Sequence, residues 1–231
     1  EGGQLHNIQF NPNSYTFRSD EYDSIPPGTS PLVHLLMKRD ATPFLFGHMT
    51  NEVVHECFVF SGARGMHLVE EDGFGPSGQC LGMGIDAAIH AYQIDDVGAG
   101  DFAPINSQIV ATDGVEGRHL GTGSSLTDTF SMFSSAGWGA HEYSVVLQGG
   151  DVKLQNFHLA RDGDPGAINV ENGATLESYA GTLSDFLGAG QPFLTIDPTA
   201  TANFTGNIIN TIEAQMPVNS TNVLSHGNLR V

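Results

Sequence analysis

Acidic side chains that could carry acid–base chemistry are concentrated between residues 70 and 96. The candidates are Glu70, Glu71, Asp72, Asp86, Asp95 and Asp96. Asp72 and Asp95 are separated by about 23 residues, a length typical of one coil in a repeat protein, and we call this spacing the coil period. Carboxylates stacked on neighbouring rungs reach the separations of about 5–9.5 Å that glycosidases use, and repulsion raises the pKa of one of them. We therefore predict Glu70, Asp86, Asp95 and Asp96 as catalytic residues; the alternative is a solvated acidic turn.

Histidines offer further chemistry in the same stretch. His67 and His90 are also one coil period apart, and a histidine beside carboxylates can act as a base or bind a metal. We include His90 among the predicted catalytic residues. Phe44 precedes the pair at the same spacing, which equally fits a packed structural column. The carboxylates also suit calcium, the one cofactor that these residue types suggest, although no calcium-loop motif is present.

Aromatic side chains near these residues could contact a substrate. We predict Tyr92, Trp138 and Tyr143 as substrate-binding residues that stack on sugar rings, since ligand sites are commonly lined by aromatic side chains. Trp138 is the only tryptophan of the chain.

A repeat of apolar residues would position all these groups. Leu35, Phe58 and Leu81 follow one another at the coil period, and a second apolar column two positions later keeps the same spacing. Apolar residues two apart, repeated at the length of one short coil, indicate stacked β-strands. A hairpin-based sandwich is the competing fold, because Asn172-Gly173 is also a hairpin signal. The fixed period argues against the sandwich.

The organisation of the chain follows from this repeat. We expect one β-helix domain over residues 1–231, which could belong to a longer chain. From Ser144 onward, units of strand, short corner and strand recur at intervals of roughly 22–28 residues. Residues 12–30 and 114–142 are predicted to be long loops, the second with one or two short strands, because they are rich in turn-forming residues.

The two cysteines fall in one column of the predicted repeat. Cys57 and Cys80 are one coil period apart, and strands about 4.8 Å apart would bring their Cα atoms near disulfide range. One interpretation is a disulfide between coils. The other is a pair of buried free thiols that pack as apolar atoms.

The composition of the chain limits the classes of molecule that it is expected to bind. The chain of 231 residues has 26 acidic and 8 basic side chains, with a formal net charge of −18. This charge disfavours nucleic acids and anionic membrane surfaces as partners, because both attract Lys and Arg. The sequence has no run of about 18 apolar residues that would insert into a membrane.

The regular coils resemble a known architecture. The stretches Val145–Leu159 and Ala167–Leu183, and the opening Leu5–Pro12, resemble right-handed parallel β-helix proteins of the pectate-lyase-like superfamily. The resemblance implies an all-β, right-handed parallel β-helix that is extracellular or on the cell surface and handles polysaccharides. The Asn-Thr-Asp and Arg-Ile-Lys motifs of polygalacturonase-like hydrolases are absent, so no catalytic assignment follows from it.

Two functions remain open at this point. The first is a polysaccharide-binding β-helix that could also cleave its ligand, as a glycoside hydrolase or a lyase, with stacked carboxylates. The second is a non-catalytic tailspike, adhesin or surface-filament subunit, which would form a homotrimer or a filament. The turn-rich coils need no active site to explain them, and β-helix ends require capping or a partner.

Overall fold

The chain forms a parallel β-helix, which confirms the predicted fold class. The computed structural model describes residues 2–11, 40–111, 118–139, 144–160, 168–186, 193–211 and 220–231. Nearly all described residues that belong to regular structure are in parallel strands of two sheets. The predicted loop 12–30, and the first members Leu35 and Met37 of the apolar repeat, lie outside the described residues.

Sheet A contains one short strand from each coil. Its strands, in spatial and chain order, are β1 (Gln4–His6), β4 (Glu52–His55), β6 (Gly78–Leu81), β8 (Phe102–Ile105), β11 (Thr129–Phe133), β14 (Asp151–Gln155), β17 (Thr175–Tyr179), β20 (Thr201–Thr205) and β22 (Val223–His226).

The second sheet is bent and presents two faces. Face B1 contains β2 (Gln9–Phe10), the first halves of β5 (Phe58–Leu68) and β7 (Gly84–Ile94), β9 (Gln108–Ala111), β12 (Ala136–Trp138), β15 (His158–Ala160), β18 (Thr182–Phe186), β21 (Ile208–Thr211) and β23 (Leu229–Arg230). Face B2 contains β3 (Phe44–Phe46), the second halves of β5 and β7, β10 (Arg118–Thr122), β13 (Val145–Leu147), β16 (Ile168–Val170) and β19 (Leu194–Ile196). Each coil whose three strands are described runs through sheet A, face B1 and face B2 in that order.

The core lies between the three faces, and its columns follow the strand register. One inward column on face B2 contains Met66, Tyr92, Leu120, Val145 and Ile168, which are paired rung by rung and fully buried. Each large apolar side chain buried in this way contributes roughly 1.5–3 kcal/mol. Because side chains alternate along a strand, the residues directly before and after each of these positions on its own strand point outward.

The corner after sheet A has one conformation in every described coil. The residue that follows each sheet A strand has a positive φ; these residues are Asn7, Glu56, Gly82, Asn106, Ser134, Asn156, Ala180, Gly206 and Gly227. The backbone N–H of each of the first eight donates a hydrogen bond to the carbonyl oxygen of the last strand residue on the next rung, with N–O distances of 2.8–3.0 Å. The hydrogen-bond ladder of sheet A therefore continues into the corner, and we call these nine positions the corner column.

The repeat length is where the sequence prediction was wrong. His55 pairs with Leu81 and Leu68 pairs with Ile94, so partners on these rungs are three positions further apart than the coil period. Asn51 and Ser77, which are hydrogen-bonded just before β4 and β6, are likewise 26 residues apart. The turn between β5 and β6, which contains the isolated bridge of Glu71 with Phe74, helps to set this length. The apolar pattern does not report turn residues, and several registers satisfy an alternating pattern.

This shift separates the pairs that the predicted period would have stacked. Cys80 pairs with Val54, whereas Cys57 follows the end of β4, and both cysteines are buried free thiols. Burial raises the pKa of the Cys80 thiol to about 12, so this thiol stays protonated and unreactive. The buried-thiol interpretation is the one that agrees with the structure.

The segment 114–142 also differs from the prediction. It contains β10, β11 and β12, three strands rather than a long loop with one or two. Two of its glycines, Gly121 and Gly137, are buried within strands.

Candidate functional site

The outer surface of face B2 carries a line of aligned side chains. His67 projects outward because its neighbours Met66 and Leu68 are fully buried. His67 belongs to a column of register partners, one from each strand of face B2. The members of the column are Leu45, His67, Gln93, Gly121, Val146, Asn169 and Thr195. This column lies across all described strands of face B2.

A hydrogen-bonded triad occupies the first rungs of this surface. His67 Nε2 lies 2.6 Å from Asp95 Oδ2, and Gln93 Nε2 donates to Asp95 Oδ1 over 2.7 Å. The hydrogen bond from His67, followed by that from Gln93, lowers the pKa of Asp95 despite its partial burial. Asp95 is therefore an ionised acceptor, and His67 Nε2 is the donor in their bond. The hydrogen bond between His67 and Asp95 fixes the orientation of one imidazole and one carboxylate at the surface.

Two glycines on the next rung make this arrangement possible. A Cβ atom at Gly123 would lie 2.5 Å from Asp95 Oδ1, and one at Gly121 would lie 3.1 Å from Gln93 Oε1. The Asp95 and Gln93 side chains therefore extend over the glycine rung. Any larger residue at position 123 would displace the Asp95 carboxylate.

Basic side chains lie on the same strands, nearer the bend. Arg64, His90 and Arg118 are paired in register on three neighbouring rungs. The Arg64 charge contributes to the lowered pKa of Asp95, and Arg64 Nε is buried without a hydrogen-bond partner. His90 pairs with Arg64 and not with His67, so the predicted histidine stack is wrong. His90 belongs to this basic row.

The acidic residues divide into two environments beside the triad. Partial burial raises the pKa of Asp96, and the negative charges of Glu70 and Asp128 raise it further. Adjacent carboxyls at positions 95 and 96 thus have pKa values shifted in opposite directions. When the pKa values of two neighbouring carboxyl groups shift in opposite directions, one group can act as a general acid and the other as a general base.

The remaining predicted carboxylates are placed elsewhere. Glu71 accepts the backbone N–H of His48, and Asp72 is in a tight turn with a positive φ, so Asp72 does not stack on Asp95. Asp86 is in the first half of β7, paired with Phe60 and Val110 on face B1. Within the described residues, the acidic candidates do not supply a group of three close ligand atoms of the kind that calcium needs.

The predicted aromatic contacts are only partly compatible with the structure. Tyr92 is 0% exposed and its hydroxyl contacts Ser107 Oγ at 2.9 Å, so it is a core residue and cannot stack on a ligand. Trp138 is partly exposed but lies on face B1. Tyr143 is outside the described residues. Leu45, an exposed apolar side chain, is paired with His67 of the triad. A second exposed apolar side chain, Phe74, is stacked on His48 with ring centroids 4.5 Å apart.

Further polar residues extend the surface beyond the glycine rung. Gln148 Nε2 donates to Glu171 Oε2 over 3.2 Å, and Asn169 Nδ2 donates to the other carboxylate oxygen. Asp197, one rung further, accepts from Thr199. We call the set His67, Gln93, Asp95, Gln148, Asn169, Glu171 and Asp197 the polar row. Sequence reasoning missed its second half, although the alternation in Ile168-Asn169-Val170-Glu171 signals two outward polar positions.

Comparisons with protein-family models, with curated proteins and with solved structures find no match for this chain. Within the described residues, no helix has the length and apolar character required to cross a membrane. Functional inference therefore depends on the polar row itself.

Proposed function

We propose that the protein binds a linear polysaccharide along the polar row of face B2. The observation that supports this proposal is the row of amide and carboxylate groups on parallel strands about 4.8 Å apart, which the rung of Gly121 and Gly123 interrupts. A polymer lying along the solenoid would meet hydrogen-bonding groups on both sides of the glycine rung, with Gln93 and Asp95 on one side and Gln148, Asn169 and Glu171 on the other. Sugar hydroxyls both donate and accept, so they complement Gln93 and Asn169 amides as well as the Asp95 and Glu171 carboxylates.

The charge of the surface indicates the class of polysaccharide. The chain has a formal net charge of −18, and the polar row contains three carboxylates. A polyanionic glycan would be repelled unless cations bridged the charges. A neutral glycan fits this surface better, and the exposed Leu45, which is paired with His67, would contact the apolar faces of its rings.

Cleavage of the bound glycan is a second candidate function, favoured by the opposite pKa shifts of Asp95 and Asp96. In this reading Asp95 and His67 form the base, and Asp96, whose proton is held more tightly, is the acid. Such a role would agree with the resemblance to the pectate-lyase-like superfamily. A non-catalytic spike or adhesin would use the same row for attachment alone.

Binding can be tested with the full chain on a panel of neutral and acidic polysaccharides, by calorimetry or affinity electrophoresis. We expect Asp95→Asn, His67→Ala and Gly123→Ala each to weaken binding of a neutral glycan about tenfold or more, which corresponds to about 1.4 kcal/mol. Asp86→Asn is the matched control, since Asp86 lies on face B1, and its binding should equal that of the wild type.

Two results would contradict the proposal. One is the absence of binding to every glycan by the wild-type chain; the other is unchanged binding by both Asp95→Asn and His67→Ala. Product analysis on the same panel separates the two candidate functions. Turnover that Asp95→Asn and Asp96→Asn abolish supports cleavage, whereas binding without turnover supports attachment.

A further inference from the structure

A second cluster lies on sheet A, at the ends of its first two strands. His6 is the last residue of β1 and His55 the last of β4, and the two are paired in register. Their rings are stacked, with centroids 4.8 Å apart and an interplanar angle of 21°. Both side chains face solvent, on a different sheet from the polar row.

Glu56 brings a carboxylate to the same point. Its Oε2 atom is 3.3 Å from His6 Nε2, and its Oε1 atom is 3.7 Å from His55 Nε2. One ligand atom from each of the three residues can be chosen so that all lie within 4.8 Å of one another. Zinc bonds of about 2.0–2.2 Å in a tetrahedral site place ligand atoms about 3.4 Å apart, so small side-chain movements would complete the geometry.

The backbone holds Glu56 in this position. Glu56 has a φ of 50° and belongs to the corner column, whose other described members are Asn, Gly, Ser or Ala. It is the charged member among those nine positions. Its N–H bond to Leu81 O, at 2.8 Å, fixes the corner, and Glu56 also borders an open groove of about 360 Å³. The site is therefore accessible from solvent.

We propose that His6, His55 and Glu56 bind a divalent transition-metal ion such as Zn²⁺. Two imidazole nitrogens and one carboxylate are the ligands of many zinc sites with an open fourth position. Nitrogen ligands favour Zn²⁺ over Ca²⁺ and Mg²⁺, which prefer oxygen. The strongly negative chain adds a general attraction for cations.

The test uses the full chain, freed of metal with a chelator and titrated with Zn²⁺ by calorimetry. Co²⁺ serves as a spectroscopic probe, because its visible absorption reports nitrogen ligands and coordination geometry. We expect one site per chain, and a loss of affinity of tenfold or more in His6→Ala, His55→Ala and Glu56→Gln.

The matched control is His226→Ala. His226 is also the last residue of a sheet A strand and is exposed, but it pairs with Thr205 rather than with a histidine. The His226→Ala variant should bind Zn²⁺ with the same affinity as the wild type. Glu56→Gly guards against misfolding, because glycine occupies the equivalent positions 82 and 206; this variant should fold and lose the site. Unchanged affinity in all four ligand variants, or an equal loss in His226→Ala, would overturn the proposal.

Discussion

At the level of single residues, His119 is the clearest titratable element of the core. It is fully buried and its Nε2 lies 3.1 Å from the backbone oxygen of Trp138. Burial lowers the pKa of His119 to about 4, with the hydrogen bond to Trp138 opposing the shift. The folded chain therefore keeps this imidazole neutral, and His119 is a structural residue rather than a catalytic one.

We expect His119 to make the protein less stable as the pH falls from about 6.5 to about 4. The unfolded chain takes up a proton near pH 6.5, whereas the folded chain does so only near pH 4. Across that window the folded state loses about 3 kcal/mol relative to the unfolded state, and little more below it. Denaturant unfolding at pH 7, 5.5 and 4 measures this loss.

The comparison variant is His119→Gln, which retains a donor for Trp138 and removes the titration. Its unfolding free energy should depend less steeply on pH in the same window. His158→Gln, at an exposed position on face B1, should leave the wild-type dependence intact. Equal pH dependence in wild type and His119→Gln would show that other groups govern acid unfolding.

A site residue could be predicted from sequence where its side-chain type alone suggests its chemistry, as a carboxylate suggests acid–base chemistry. The acidic stretch at 70–96 directed attention to Asp95 and Asp96, whose environments the structure now separates. Tyr92 was misassigned because an aromatic side chain in a strand faces the core or solvent with the same sequence signature. Only the register, which pairs it with Met66 and Leu120, places it inside.

At the level of elements, the corner column is the most regular feature of the chain. A left-handed residue costs about 1–2 kcal/mol unless it is glycine or, to a lesser degree, asparagine. Most described members of the column are of those two types, whereas Ala180 adopts a φ of 52° although its side chain disfavours that conformation.

We expect Ala180→Gly to stabilise the protein by about 0.5–1 kcal/mol, because relief of the left-handed strain exceeds the added chain entropy. The reciprocal change at the equivalent corner is Gly206→Ala. A Cβ atom there would meet nothing within 4 Å, so its effect is conformational, and it should destabilise by about 1 kcal/mol. Denaturant unfolding of both variants is the measurement. Changes of the same sign would contradict the explanation.

The fold class could be predicted from sequence, and the register could not. Apolar alternation indicated stacked strands because it records which side chains are buried. The separation of rungs also depends on turn residues. Asn207 and Asn228, bonded across neighbouring rungs, are 21 residues apart, whereas Ser107 and Ser135 are 28 residues apart.

The constant coil period assumed for the first coils was therefore wrong, and this error affected the prediction of the candidate site. It concealed the contact of His67 with Asp95, which are 28 residues apart. The acidic and imidazole groups were visible in the sequence, but their pairing depended on turns whose lengths the apolar pattern does not report.

At the level of the whole molecule, net charge should dominate the response to salt. The chain has 26 acidic and 8 basic side chains, and carboxylates such as Asp96, Glu70 and Asp128 repel one another. Added salt shortens the screening length from about 30 Å at 0.01 M to below about 10 Å above 0.1 M. Repulsion within the compact state then weakens.

We expect the Tm at pH 7 to rise when NaCl is increased from about 0.01 M to about 0.5 M, with a chelator present to exclude bound metals. A gain of about 1 kcal/mol corresponds to about 2–4 °C for a protein of this size. The same titration near the sequence pI of about 4.6 is the control, since the net charge there is close to zero. An equal rise at both pH values would point to salt exclusion from the surface instead.

The parallel register of the later coils has a consequence for how such a chain can change. β14 pairs with β17, and β17 with β20, over five residues each and without a shift. Duplication in the gene of one such coil would therefore add a rung whose sheet A columns match both neighbours. The polar row could lengthen in steps of one coil, while the core of each existing rung remained unchanged.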